Sequence, residues 1–119
     1  MRHRKSGRQL NRNSEQRRAL FRSLVAALLW NGKMVTTEAK AKAIQPQVER
    51  LITLAKDDSP ARRRLAMTKL PSARVVEKLF AEVAPTFKER SGGYTRIVRI
   101  GPRQGDAAMM VQIELVGAA

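Results

Sequence analysis

The first 22 residues, MRHRKSGRQLNRNSEQRRALFR, hold eight Lys and Arg against the single acid Glu15, with no apolar periodicity before Leu20. A segment this basic and this poor in apolar side chains cannot bury enough surface to offset the entropy of ordering it. It takes its shape from an outside partner, and its charge makes that partner a polyanion. Any core must be built from the residues beyond it.

The rest of the chain shares the bias. Lys and Arg number 24 against 10 Asp and Glu, a net +14, of which the first 22 residues supply +7 and the remainder +7. So positive a surface repels itself in isolation and suits nucleic acid, whose phosphates release condensed counterions as Lys and Arg replace them. Arginine outnumbers lysine 16 to 8. The guanidinium fork pairs bidentately with phosphate and stacks on bases, which favours RNA or DNA over a membrane surface.

With 119 residues the chain can build one modest core. We expect a basic arm over residues 1–13 and a single globular domain over 14–119. Cysteine is absent and His3 is the only histidine, so disulfides, thiolate metal sites and His-based nucleophilic catalysis have almost no material. No cofactor, metal, small-molecule substrate or enzymatic activity is expected. The apolar run Leu24–Trp30 behind a basic start has the outline of a signal peptide, but Arg22 interrupts it and Asn31-Gly32-Lys33 stands where a cleavage site needs small residues. The expectation is a cytoplasmic protein without a membrane span.

Periodicity divides the remainder into helices and a hairpin. Leu20, Leu24 and Leu28, with Phe21, Val25 and Leu29, form one apolar stripe over about 14–31, which Asn31-Gly32 should stop. Lys33–Thr36 is short and β-branched enough for a strand, and Thr37 can cap a helix reaching about Lys56. Pro46 falls inside that pattern, so the helix either kinks there or starts near it. Ser59-Pro60 opens a third helix through about Lys69. Ser72 caps a fourth, with Val75, Val76, Leu79, Phe80 and Val83 inward and Pro85 at its end. The final third alternates: Tyr94–Ile100, a Gly101–Asp106 loop, then Met109, Val111, Ile113 and Leu115 on one face. That is a β-hairpin over about 94–116, and two strands alone are marginal, so the Met34 segment should join them. The fold class expected is α+β: a two-layer α/β domain in the order helix, strand, three helices, two strands, with a small mixed sheet.

Signals for chemistry are thin, whereas signals for binding are not. Most carboxylates lie beside a cation, as in Glu49-Arg50, Glu77-Lys78 and Glu89-Arg90, and read as solvated surface. Asp57-Asp58 reads as a polar loop, and Gly92-Gly93 as a turn into a strand. Arg17, Arg18 and Arg22 sit at the end of a helix where its dipole disfavours cations, so binding accounts for them better than stability does. Arg62-Arg63-Arg64 forms a second basic cluster. Lys40 and Lys42, and Arg96, Arg99 and Arg103, carry the same argument at lower weight. Aromatics make up only 4% of the chain and the core must use most of them, which leaves too few for reading single strands by stacking, so recognition should be of phosphate, sugar and shape in folded RNA. A DNA-organising module with the same charge is the alternative, though the chain lacks a convincing helix-turn-helix or zipper.

The arm Met1-Arg2-His3-Arg4-Lys5-Ser6-Gly7-Arg8-Gln9-Leu10-Asn11-Arg12 closely resembles the start of the bacterial large-subunit ribosomal proteins numbered seventeen. Thr36-Thr37 with Lys40-Ala41-Lys42, Leu51–Lys56, Gly92-Gly93-Tyr94-Thr95-Arg96 and Ile113–Val116 resemble the same family in order. The resemblance implies a two-layer α/β fold and a structural role in the large subunit. It also implies ribosomal RNA and neighbouring large-subunit proteins as partners, and a place near the outer end of the peptide exit tunnel. One departure is Ala39, where the family often has proline. The candidate RNA contacts are then Arg2, His3, Arg4, Lys5, Ser6, Arg8, Asn11 and Arg12 in the arm; Arg17, Arg18 and Arg22 at the first helix; Lys40, Lys42, Arg62 and Arg63 in the middle; and Tyr94, Arg96 and Arg99 at the hairpin.

Overall fold

The computed structural model describes residues 14–117. The expectations for Arg2, His3, Arg4, Lys5, Ser6, Arg8, Asn11 and Arg12 lie outside the described residues. Helix α1 spans Ser14–Asn31 and buries Val25, Ala26, Leu28 and Leu29, one end of the apolar stripe. Its C-terminus ends as the sequence requires. Gly32 takes φ 83° and donates its N–H to the Leu28 carbonyl at 2.8 Å, a left-handed cap that a residue without Cβ adopts at no steric cost.

The chain then turns into strand β1, Lys33–Thr37, and its last residue starts the next helix. Thr37 is extended, and its hydroxyl accepts from the Lys40 N–H, capping α2 over Glu38–Ala55. Pro46 neither starts nor breaks this helix. Its ring faces solvent, while Ala41 and Ile44 on one side and Val48, Leu51 and Ile52 on the other are buried. Burying each large aliphatic side chain is worth about 1.5–3 kcal/mol, so the packing on both flanks outweighs the proline penalty of about 3 kcal/mol.

Helix α3, Pro60–Met67, begins with the Ser59 hydroxyl accepting from Arg62 N–H at 3.2 Å, and ends two residues before the expected Lys69. Ser72 caps α4, Ala73–Lys78, in the same manner through Arg74 N–H. The five inward residues expected here are all buried. The helical path ends at Thr86, one residue past the expected Pro85, but its course before that is not a regular α-helix. The helical path widens into a π-turn over Leu79–Val83, where Ala84 N–H reaches back to the Leu79 carbonyl, and Pro85 sits in a closing turn, Ala84–Thr86. In a regular α-helix the Pro85 ring would collide with the carbonyl four residues earlier, and the wider turn removes that collision.

Strands β2, Thr95–Pro102, and β3, Met109–Leu115, form the expected hairpin. The sheet order is β1-β3-β2. The expectation of a mixed sheet is corrected: β3 lies in the middle and pairs antiparallel with both neighbours, with Met34 opposite Ile113 and Ile97 opposite the same residue. The physical reason lies in the inner face of β3, where Val111, Ile113 and Leu115 are all buried, whereas β1 and β2 each bury one residue. The most apolar strand takes the central position. The register slips between Arg99 and Gly101, where Gly101 adopts φ 139°. Helices α1 and α2 pack on β3, and one continuous cluster of buried side chains joins the helices to β3, with the half-buried Met34 of β1 and Ile97 of β2 packed against it.

Candidate functional site

Among the expected contact residues, Tyr94 is placed where it can touch no partner. It is 1% exposed, its ring centre lies 5.2 Å from that of Phe87, and its hydroxyl shares a 3.1 Å hydrogen bond with Thr53. Burial pushes its phenol up, but hydrogen bonds to Lys56 and Thr53 outweigh that and hold it below its ordinary value. Tyr94 is therefore a core residue, and its expected role in recognition is withdrawn.

Most of the other expected cations on the middle helices and hairpin are matched by carboxylates of the chain itself. Arg63 makes a two-pronged pair with Asp58, both contacts 2.7 Å, and its guanidinium lies 5.0 Å from the centre of the Phe80 ring. That hydrogen-bonded pair lowers the Asp58 carboxyl and raises Arg63. Arg62 donates to the Leu54 carbonyl at 3.0 Å with Asp57 4.0 Å away. Glu38 bridges Arg99 at 2.9 Å and Lys42 at 3.6 Å. Arg96 pairs with Glu114 at 2.7 Å, and that bond, helped by Gln112, holds the Glu114 carboxyl low. Each pair is exposed to solvent and adds little to stability, yet each reduces the pull its cation can exert on an outside anion.

The start of α1 is different. Among the described residues no ion pair reaches Arg17, Arg18, Arg22 or Lys40. Arg22 is pinned instead to the C-terminal side of α3, donating to the Thr68 carbonyl at 3.2 Å, while its Nε is buried with no partner. Arg17 closes the first turn of α1, which also holds Glu15, and Arg18 follows it; neither has an ion pair among the described residues, and both lie towards the helix end whose dipole disfavours cations.

Two features were not anticipated. Glu49 and Arg50 read together as solvated surface, but adjacent helical residues diverge by about 100° and here meet different surroundings. Glu49 turns to the sheet and accepts from Thr95 N–H at 3.3 Å and its hydroxyl at 2.8 Å. Arg50 has no ion pair among the described residues, and with Lys42 and Lys69 it edges an open groove. The i, i+4 ladder Lys42, Pro46, Arg50 was the signal for it. The second feature is Trp30, 42% exposed, with Lys78 4.8 Å and Arg74 5.6 Å from its ring centre.

The described residues hold no cluster of three His, Cys, Asp or Glu able to bind a metal, and no helix long and apolar enough to cross a membrane. These features define the class: a small basic α+β protein in which, among the described residues, ion pairs hold six cations and leave others unmatched, Arg17 and Arg18 at the start of the first helix among them. A family model described as ribosomal protein L17 matches residues 20–116. The chain belongs to that family, as a structural constituent of the large ribosomal subunit and a component of translation.

Proposed function

We propose that this protein binds large-subunit ribosomal RNA through a cationic path running from the arm, residues 1–13, into the first turn of α1, with residues 14–119 as one domain seated beside it. The observation that carries the reading is the division of charge. Among the described residues Arg17 and Arg18 have no carboxylate partner at a helix end that disfavours cations, whereas Arg62, Arg63, Arg96 and Arg99 are matched internally. Unmatched cations release the most counterion on meeting phosphate, so the arm and α1 supply the affinity and the matched cations trim the fit. Lys40, on the first turn of α2, adds to the path at lower weight. On this reading the protein assembles in the cytoplasm near the outer end of the exit tunnel, against ribosomal RNA and neighbouring large-subunit proteins.

Deletion of residues 2–12 tests it. The truncated protein is expected to lose incorporation into large subunits and most of its affinity for ribosomal RNA fragments. The five deleted cations should also flatten the log–log salt slope by about 3.5–4.5. Unchanged incorporation with an unchanged slope would remove the arm from the mechanism.

A further inference from the structure

Between α1, α2 and α3 lies an open groove of about 740 Å³. Its floor is apolar: Phe21 from α1, Pro46 and Leu54 from α2, and Leu65 from α3, the last of these 50% exposed. Its edges carry Lys42, Arg50 and Lys69, and among the described residues no carboxylate lines it. An apolar floor left open to water and edged by one sign of charge fits an occupant with an apolar body and anionic flanks.

The charge selects among occupants. The chain's own arm carries five cations and no acid through residue 13, so a groove edged by three more cations repels it. The position of the groove then favours nucleic acid over an acidic peptide. Phe21 is one turn along α1 from Arg17 and Arg18, which lie four and three residues before it on the same side of the helix. The unmatched cations of the proposed RNA path thus lead directly onto the groove floor. Along α2, Lys42 and Arg50 stand eight residues apart, about 12 Å at the helical rise, with Pro46 and the apolar floor between them.

We propose that this groove receives one unstacked nucleotide from a single-stranded stretch of RNA, its base lying on Phe21, Leu54 and Leu65 and its flanking phosphates held by Arg50, Lys69 and Lys42. The inference rests on the RNA-binding reading above and adds a base-holding contact to one otherwise made of phosphate and shape. Lys42 is the weakest of the three cations, because Glu38 already holds it. Arg50 and Lys69 have no such partner among the described residues.

The test uses the full chain, with its arm intact. A photo-crosslinking benzophenone residue replacing Gln47, which lines the groove, is incorporated into large subunits and irradiated, with the same residue replacing Val98 on the far face of the sheet as control. The expected result is a crosslink from position 47 to an unpaired RNA nucleotide, absent from position 98. The double variant Arg50→Gln, Lys69→Gln should bind ribosomal RNA fragments about tenfold more weakly, with a salt slope shallower by about 1.4, the single-strand value for two lost phosphate contacts. Phe21→Leu, which keeps the floor apolar and the core filled, should also weaken binding about tenfold by removing the stacking ring. A crosslink from position 47 to a protein alone, or to nothing, overturns the groove assignment, as does an unchanged salt slope in the double variant. Failure of the unmodified full chain to bind RNA at all would instead overturn the RNA-binding reading itself.

Discussion

At the scale of single residues, a charged side chain is defined by its match, and Asp106 shows how far a match can move it. Its carboxylate accepts from Arg103 through two nitrogens, at 3.1 and 2.6 Å, and from Ala108 N–H at 3.1 Å, tying the hairpin loop. The Arg103 hydrogen bonds first, then the Ala108 N–H, lower its carboxyl to about 2. A carboxylate with a lowered folded value stabilises the fold above its unfolded value near 3.8, and that support fades as pH falls through about 2. Following the Asp106 carboxyl carbon by NMR should therefore give a midpoint near 2, and Arg103→Gln should return most of the way to the ordinary value. A wild-type midpoint near 3.8 would mean that the loop is open in solution. This pair was half legible: Arg103 stood out in the sequence as a possible RNA contact, but only the turn reveals that Asp106 comes back to meet it. Tyr94 failed for the same kind of reason. Two glycines before Tyr94 suggest a turn into a strand, but nothing local says that Phe87 and Thr53 wait on the inner side.

Among the elements, the features that could be read from the sequence are those that local chemistry decides. Thr37, Ser59 and Ser72 each cap the helix they precede, and Gly32 ends α1, because a hydroxyl meeting an orphan N–H and a glycine reaching positive φ depend on few neighbours. The features that could not be read are those that packing decides: the uninterrupted course of α2, the π-turn before Pro85 and the central place of β3. Pro46 allows a direct test. It faces solvent inside α2, leaves the Lys42 carbonyl without its helical donor, and is kept there by the buried residues on either side. Pro46→Ala restores that hydrogen bond and relieves a penalty of about 3 kcal/mol, while the looser unfolded chain takes back roughly 0.4–1 kcal/mol. Urea unfolding at 25 °C should show a gain of about 2 kcal/mol. Most substitutions destabilise, so a rise is a sharp expectation, and a loss would mean that the proline ring packs in a way that the helix needs.

For the whole molecule, salt acts with two opposite signs. Of the net +14, five charges belong to residues 1–13, which leaves +9 on the described residues, where 19 cations face 10 acids. The ion pairs formed by Lys42, Arg62, Arg63, Arg96, Arg99 and Arg103 are surface pairs, individually weak and weakened further by salt. Against them stands the mutual repulsion of the unmatched cations, which extends across a molecule 44 Å in its longest dimension and is also screened by salt. The Debye length falls from about 30 Å at 0.01 M to about 10 Å at 0.1 M, so the long-range repulsion is removed first and the contact pairs last. The RNA-free protein is therefore expected to gain thermal stability as salt rises from 0.01 to 0.15 M, over the same range in which its RNA affinity falls steeply. Melting curves at fixed protein concentration measure the first effect and filter binding the second. Sulfate should raise the melting temperature more than chloride at equal ionic strength, because a divalent oxyanion can occupy the sites that phosphates would take. If the melting temperature fell with added chloride, the surface pairs would outweigh the repulsion, and the unmatched cations would have to be explained by something other than an absent polyanion.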